Sequence, residues 1–361
     1  MVSFFDISWS VCPEYDLIKP CICYNNNEIQ CYANEYIDLV KIFQTLENNL
    51  NETQKHFHRF YLSNNFITEL KENTFSDITF DVIYIYGCQN LKTIHRNAFN
   101  TTDSVTKSFD MTYNQALSLD NSFFEALSKF ILLENLEIYE SSITQIPSNA
   151  FQNIVGEQDK LKHIRFLGSS LKKLGNKAFS KLKNLQTLNF HRTSIDFIPE
   201  NAFVFNERSE QQLTIEFKGN YYLNSSGFSE KSLIKLKRPT TLTLNSFGEN
   251  ERTYFKYLDQ KIYEPFLLSN AKNMIKFEYG SLDCTNCKNQ WLQTAPSTLL
   301  NQIYGLKCYN DKPLNDTINF MSCKDNNCSG TGININININ NPVPPNNFIN
   351  SSVLSPKNVL N

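Results

Sequence analysis

One apolar position recurs along this chain in a constant local setting: Leu62, Ile85, Met111, Ile138, Phe166, Phe190, Phe217 and Leu244, at steps of 23 to 28 residues. Each closes a short run in which apolar and polar residues alternate, the period of a half-buried strand. Three residues further on stands Asn65, Cys88, Asn114, Ser141, Ser169, Thr193 or Asn220. A phenylalanine ends most units, at Phe75, Phe99, Phe151, Phe179, Phe203 and Phe228. A segment this short cannot bury its apolar side by itself, so successive copies must stack and share one interior. That requirement excludes most globular folds.

Written in full, the first unit is Phe57, Phe60, Leu62, Asn65 and Ile67, then Leu70. The second is Phe80, Ile83, Ile85, Cys88, Leu91 and Ile94, and the sixth is Leu185, Leu188, Phe190, Thr193, Ile195 and Ile198. The pattern resembles the leucine-rich repeat, L-x-x-L-x-L-x-x-N/C-x-L, which has a strand on its first half and a convex turn after it. The expected fold class is an α/β solenoid: a leucine-rich-repeat horseshoe with a parallel concave sheet and disulfide caps at both ends. The expected organisation is an N-terminal remnant at 1–11, a cysteine-rich cap at 12–50 and about eight repeats over 51–270. A second cysteine-rich cap follows at 271–328, and then an Asn/Pro-rich tail at 329–361. Cys88 falls in the column that bonds the turn backbone and reads as a reduced, buried ladder residue. The phenylalanine stripe reads as core, because its spacing is tied to the repeat.

Cysteines cluster at the two ends: Cys12, Cys21, Cys23 and Cys31, then Cys284, Cys287, Cys308, Cys323 and Cys328, with Cys88 alone between them. Neither cluster contains histidine, and the spacing is poor for zinc, so the clusters read as disulfide staples of an oxidising compartment. Glycosylation sequons at Asn51, Asn100, Asn224, Asn315, Asn327 and Asn350 point the same way. The first eleven residues, MVSFFDISWSV, are too short for a secretory signal, so either the true start is missing or the sequence begins near the mature end. No run of about twenty apolar residues occurs, so no membrane span is expected. Lys and Arg total 34 against 36 Asp and Glu, a balance without a footprint for nucleic acid. In the tail, GININININ permits a strand, but Asn and Pro richness favours disorder.

The opening CPEYDLIKPCICYNNNEIQC resembles the N-terminal flanking cap of extracellular leucine-rich-repeat proteins. That resemblance implies the pairs Cys12–Cys23 and Cys21–Cys31. At the other end, Asp283-Cys284-x-x-Cys287-x-x-x-Trp291-Leu292 with Cys308 and Cys323 resembles the C-terminal cap. Carried across by order, its pairs are Cys284–Cys308 and Cys287–Cys323. Cys328 is then left to replace Cys323, stay free or join another chain. The whole span also resembles the arthropod secreted proteins named after the non-catalytic subunit of Oplophorus-luciferin 2-monooxygenase. YIDLVKIFQTL, the recurrent Ala-Phe unit endings and RPTTLTLN carry the likeness. The resemblance implies a binding protein, with a possible enzyme partner subunit, and not a catalyst.

No nucleophile elbow, zinc helix or phosphate loop occurs, and the five histidines fall in none of these motifs, so no cofactor is expected. His163 and His191, in neighbouring repeats, read as surface residues. Function then rests on the strand positions that face away from the core. The central column is Tyr61, Tyr84, Asp110, Glu137, Arg165, Asn189, Glu216 and Thr243; the flanking one is Ser63, Tyr86, Thr112, Tyr139, Leu167, His191, Lys218 and Asn245. Tyr61, Tyr84, Tyr86 and Tyr139 are amphipathic anchors of the kind enriched in interfaces. With Asp110, Glu137, Arg165 and His191 they form the candidate site for an extracellular protein ligand, Asp110 and Glu137 being expected to face Arg165.

Overall fold

The computed structural model describes residues 11–24, 27–118, 120–154, 160–245, 255–277, 281–282, 286–305, 307–308, 320–324 and 327–333. Twelve strands form one sheet in chain order: β1 (Ile22–Tyr24), β2 (Glu28–Tyr32), β3 (His56–Ser63), β4 (Thr79–Tyr86), β5 (Ser108–Thr112), β6 (Asn135–Tyr139), β7 (His163–Leu167), β8 (Thr187–His191), β9 (Leu213–Lys218), β10 (Thr240–Asn245), β11 (Met274–Lys276) and β12 (Ile303–Tyr304). Only β1 and β2 pair antiparallel; every later neighbour is parallel. Leu62 lies opposite Ile85, Ile85 opposite Met111, Met111 opposite Ile138, Ile138 opposite Phe166, and Phe166 opposite Phe190. The periodic apolar position is therefore one register line, and β11 and β12 carry the sheet into the C-terminal cap.

Stacking of like upon like builds the core. Phe151, Phe179 and Phe203 lie 6.2 and 6.3 Å apart with nearly parallel rings. Phe166, Phe190 and Phe217 repeat this beneath the sheet at 5.8 and 5.3 Å. All six are at most 1% exposed, and each buried ring contributes about 1.5–3 kcal/mol. Opposite the sheet, Glu69–Leu70 pairs with Thr93–Ile94 and Gln145–Ile146 with Lys173–Leu174. Asp120 accepts from the backbone of Ser122 and Phe123 to start a helix over Asn121–Leu127.

Between strand and convex turn the backbone turns left-handed in repeat after repeat. Gly87, Tyr113, Glu140, Gly168, Arg192 and Gly219 all have φ between +44° and +68°. The next residue enters the ladder. Asn114 accepts from the Cys88 amide at 2.9 Å and donates to the Ile85 carbonyl at 2.8 Å. Cys88 is a buried free thiol, and burial pushes its pKa up to about 11. Ser141 and Ser169 are too short to do the same, and their buried hydroxyls find no hydrogen-bond partner among the described residues. The first repeat corrects the sequence reading. Asn64, 2% exposed, is the ladder residue and Asn65 is exposed. This turn has no left-handed residue, so the ladder arrives one position early. The Asn64 amide donates to the Ala33 and Glu35 carbonyls at 2.9 and 2.8 Å, tying repeat to cap.

At the N-terminus Cys12 is bonded to Cys23 and Cys21 to Cys31, the pairing implied by the resemblance. A helix over Leu39–Asn49 buries Leu39, Ile42, Phe43 and Leu46, one face at helical spacing. Phe43 lies 5.0 Å from Phe75 and 5.5 Å from Phe60, closing the open end of the stack. At the C-terminus the Trp291 indole donates to the Leu258 carbonyl at 2.8 Å, and Cys287 is disulfide-bonded. Cys284 lies outside the described residues, as do the side chains of Cys308, Cys323 and Cys328. The backbone places Leu282 opposite Cys308 and Cys323 opposite Cys328. Strand 327–333 continues past Ser329, where the composition changes, and the Ile/Asn run beyond it is outside the described residues.

Candidate functional site

Parallel pairing without offset turns each non-core strand position into a straight row across the concave face. Tyr61 lies opposite Tyr84, Tyr84 opposite Asp110, Asp110 opposite Glu137, Glu137 opposite Arg165, Arg165 opposite Asn189, and Asn189 opposite Glu216. Thr243, Lys276 and Tyr304 extend the row. In the flanking row Tyr86 faces Thr112, Thr112 faces Tyr139, and Leu167 faces His191.

The tyrosines make one continuous ladder. Ring centroids are 5.4 Å apart for Tyr61–Tyr84, 6.1 Å for Tyr84–Tyr86, 5.6 Å for Tyr86–Tyr113 and 5.3 Å for Tyr113–Tyr139. Tyr113 is a member that alternation along a strand does not select. It sits in the left-handed turn after β5, and without glycine there the turn carries a ring into the gap between Tyr86 and Tyr139. Burial raises the pKa values of Tyr61 and Tyr84, against hydrogen bonds to Ser63 and Thr112. Tyr139 is raised too, first by its hydrogen bond to Tyr113 and then by burial. These phenols stay neutral at physiological pH. They present rigid, partly buried rings with polar tips.

Charges occupy the middle. Glu137 pairs with Arg165 at 3.3 Å and Arg59 with Glu28 at 3.1 Å. Asp110 does not join Arg165 as expected, since Glu137 stands between them in the register and takes the guanidinium. Burial, aided by the Glu137 charge, pushes the Asp110 carboxyl up to about 7, with Arg165 and Arg59 opposing. His191 lies 3.1 Å from Glu216. Burial favours the neutral form of Glu216, but His191 and Lys218 outweigh it and its pKa falls. His163 bonds the Thr187 hydroxyl at 2.9 Å, and its pKa is lowered by burial and then by Arg165 and Lys162. The two histidines sit in different rows and serve different partners. A further cluster gathers at the start of β3 and β4. His56 and His58 lie 3.4 and 3.8 Å from buried Asp81, and Lys107 lies 3.0 Å from it. Among the described residues no group of three or more His, Cys, Asp or Glu could hold a metal.

A cleft of about 230 Å³ exists beside the first repeat, between Tyr36–Val40 and Ile67–Lys71, but none of its walls belongs to these rows. Of the sequons, Asn51 and Asn224 are exposed, while Asn100 is partly buried and donates to Asn73 at 2.7 Å. Asn315 lies outside the described residues.

Repeat, sheet and caps define a leucine-rich-repeat fold. A family described as the BspA type leucine rich repeat region matches residues 118–251, in six copies. The chain is similar to the Oplophorus-luciferin 2-monooxygenase non-catalytic subunit of Oplophorus gracilirostris: 22% identical over 326 residues, covering 84% of this chain and 85% of that one. Among solved structures, a chain of the TLR13–ssRNA13 complex aligns at TM-score 0.48 and 15% identity over 70% of this chain. This chain spans only 35% of that chain. Human 5T4, a trophoblast glycoprotein, aligns at TM-score 0.36 and 13% identity, over 64% of this chain and 83% of its own. No helix of the described residues is long and apolar enough to cross a membrane.

Proposed function

We propose that this chain is a secreted recognition protein that binds another extracellular protein through its concave face and performs no chemistry itself. The observation that carries the reading is the unbroken tyrosine ladder from Tyr61 to Tyr139, laid on a rigid sheet beside the charged row. Rings held in place by neighbouring rings lose little conformational entropy on binding. The two N-terminal disulfides support an oxidising, extracellular setting. To test it, the oxidised chain and a Tyr84→Ala/Tyr86→Ala/Tyr139→Ala variant are immobilised side by side and exposed to extracellular fluid of the source. The wild type should retain a defined protein that the variant loses, while both unfold at similar temperatures. Equal retention would place the binding surface elsewhere.

A second reading, an accessory subunit of a separate secreted enzyme, is supported by similarity to a non-catalytic subunit across most of both chains. Co-purification of a catalytic polypeptide from native material, in fixed stoichiometry, would favour it over a free recognition protein.

A further inference from the structure

Two acceptors on the concave face lack donors. Asp110, between Tyr84 and Glu137 in the register, makes no hydrogen bond or close ion pair with the described residues. Its neighbouring acids are all committed: Glu28 to Arg59, Glu137 to Arg165, Glu216 to His191. Independently, Asn189 is 9% exposed in the same row, and its side-chain oxygen has no hydrogen-bond partner among the described residues. Leaving such an acceptor dry and unpaired costs about 1–3 kcal/mol. Both vacancies fall in one row of the concave face.

We propose that the concave face takes an extended, cationic protein segment, with one lysine or arginine head seated on Asp110 against Tyr84 and a second donor on Asn189. This rests on the reading of that face as a protein-binding site. An ammonium or guanidinium at Asp110 would meet the carboxylate of Asp110, with Glu137 and Tyr84 as its neighbours in the register, where cation–π attraction adds to charge. An acidic segment would meet the same two carboxylates with the wrong sign. The face's arginines are already tied to Glu28 and Glu137, and Lys218 and Lys276 stand on the C-terminal side. Asp110 and Asn189 are three strands apart, roughly 14 Å at about 4.8 Å per strand. Four residues of extended chain, at about 3.3 Å each, span that distance.

The probe is a labelled Gly-Ser-Lys-Thr-Thr-Thr-Lys-Ser-Gly peptide, with its Nε-acetyl-lysine and glutamate counterparts, titrated against the full oxidised chain by fluorescence anisotropy. The lysine peptide should bind in a salt-sensitive manner, at least tenfold tighter than either counterpart. Asp110→Asn should erase most of that preference, and Asn189→Leu should weaken binding several-fold, with unfolding temperatures checked for each variant. Equal binding of lysine and acetyl-lysine peptides, undiminished binding by Asp110→Asn, or no binding of the lysine peptide at millimolar concentration would each overturn the charge reading. If both peptides bind equally and the triple tyrosine variant loses both, the concave site stands and only its preference for cations falls. If the natural partner survives the triple tyrosine change, the site itself is misplaced.

Discussion

Asp110 holds a carboxyl where an ionised one is poorly tolerated, and the consequence is a pH dependence of stability with a definite sign. Its pKa is about 7 in the folded chain and about 3.9 when unfolded, so the folded state binds the proton more tightly. Protonation therefore stabilises the fold. That contribution is complete below about pH 4 and is lost as pH rises through about 7. Asp110→Asn cannot ionise, so it should be more stable than the wild type at pH 8, by up to a few kcal/mol, and closer to it at pH 5. Urea unfolding at both pH values checks this; identical differences at the two would mean that Asp110 is well solvated. Gly168 makes a second case for a single position. It has φ +56°, and a Cβ there would lie 2.9 Å from Glu140 Cγ and 3.1 Å from a Tyr139 ring carbon. Gly168→Ala should cost about 1–3 kcal/mol, seen as an equivalent drop in unfolding free energy, and it should also disturb the Tyr139 end of the ladder.

Among the elements, each repeat depends on the ring beneath it. Phe179 is fully buried between Phe151 and Phe203, with Phe190 6.3 Å away in the sheet layer. Truncation to alanine should cost about 3–5 kcal/mol, because the flanking repeats cannot close the void without losing their own register. Chemical denaturation measures it, and a loss below about 1 kcal/mol would show that the spine is loosely packed. The strands and this spine were legible because two periods coincide in them, the alternation of a strand and the length of a repeat. The same coincidence placed Tyr61, Tyr84, Asp110, Glu137, Arg165 and Asn189 in one row. Less was legible where no residue type marks the conformation. Tyr113, Glu140 and Arg192 take left-handed turns without glycine, which hid Tyr113, the fourth rung of the ladder. In the first repeat the absence of that turn moved the ladder from Asn65 to Asn64. Pairing within the row was hidden for another reason. Arg165 has acids at one and two strands' distance, and only the register decides that Glu137 takes it while Asp110 is left over.

Over the whole molecule, stability is the sum of neighbour contacts along one axis, so a repeat at the end is held from one side only. The N-terminal end is held by a short hairpin, β1 and β2, whose closure depends on Cys12–Cys23 and Cys21–Cys31. Opening a loop of about ten residues frees roughly 3 kcal/mol of unfolded-state entropy, an amount that matters in a cap of so few residues. Reduction should therefore loosen the structure from its N-terminal end. Hydrogen exchange should accelerate first in β2 and β3, where Ile29 and Cys31 cover Phe60 and Leu62 in the register. The Phe43 side of the cap should follow, since the Leu39–Asn49 helix packs on the same end of the core. β6, β7 and β8 have neighbours on both sides and no cysteine, so their protection should change little at the same reductant concentration. A gradient of exchange falling away from the N-terminal end is the expected result of mass-resolved exchange with and without reductant. Uniform acceleration across the sheet would instead mean that the repeats unfold as one cooperative block, with the caps setting global stability and not local closure.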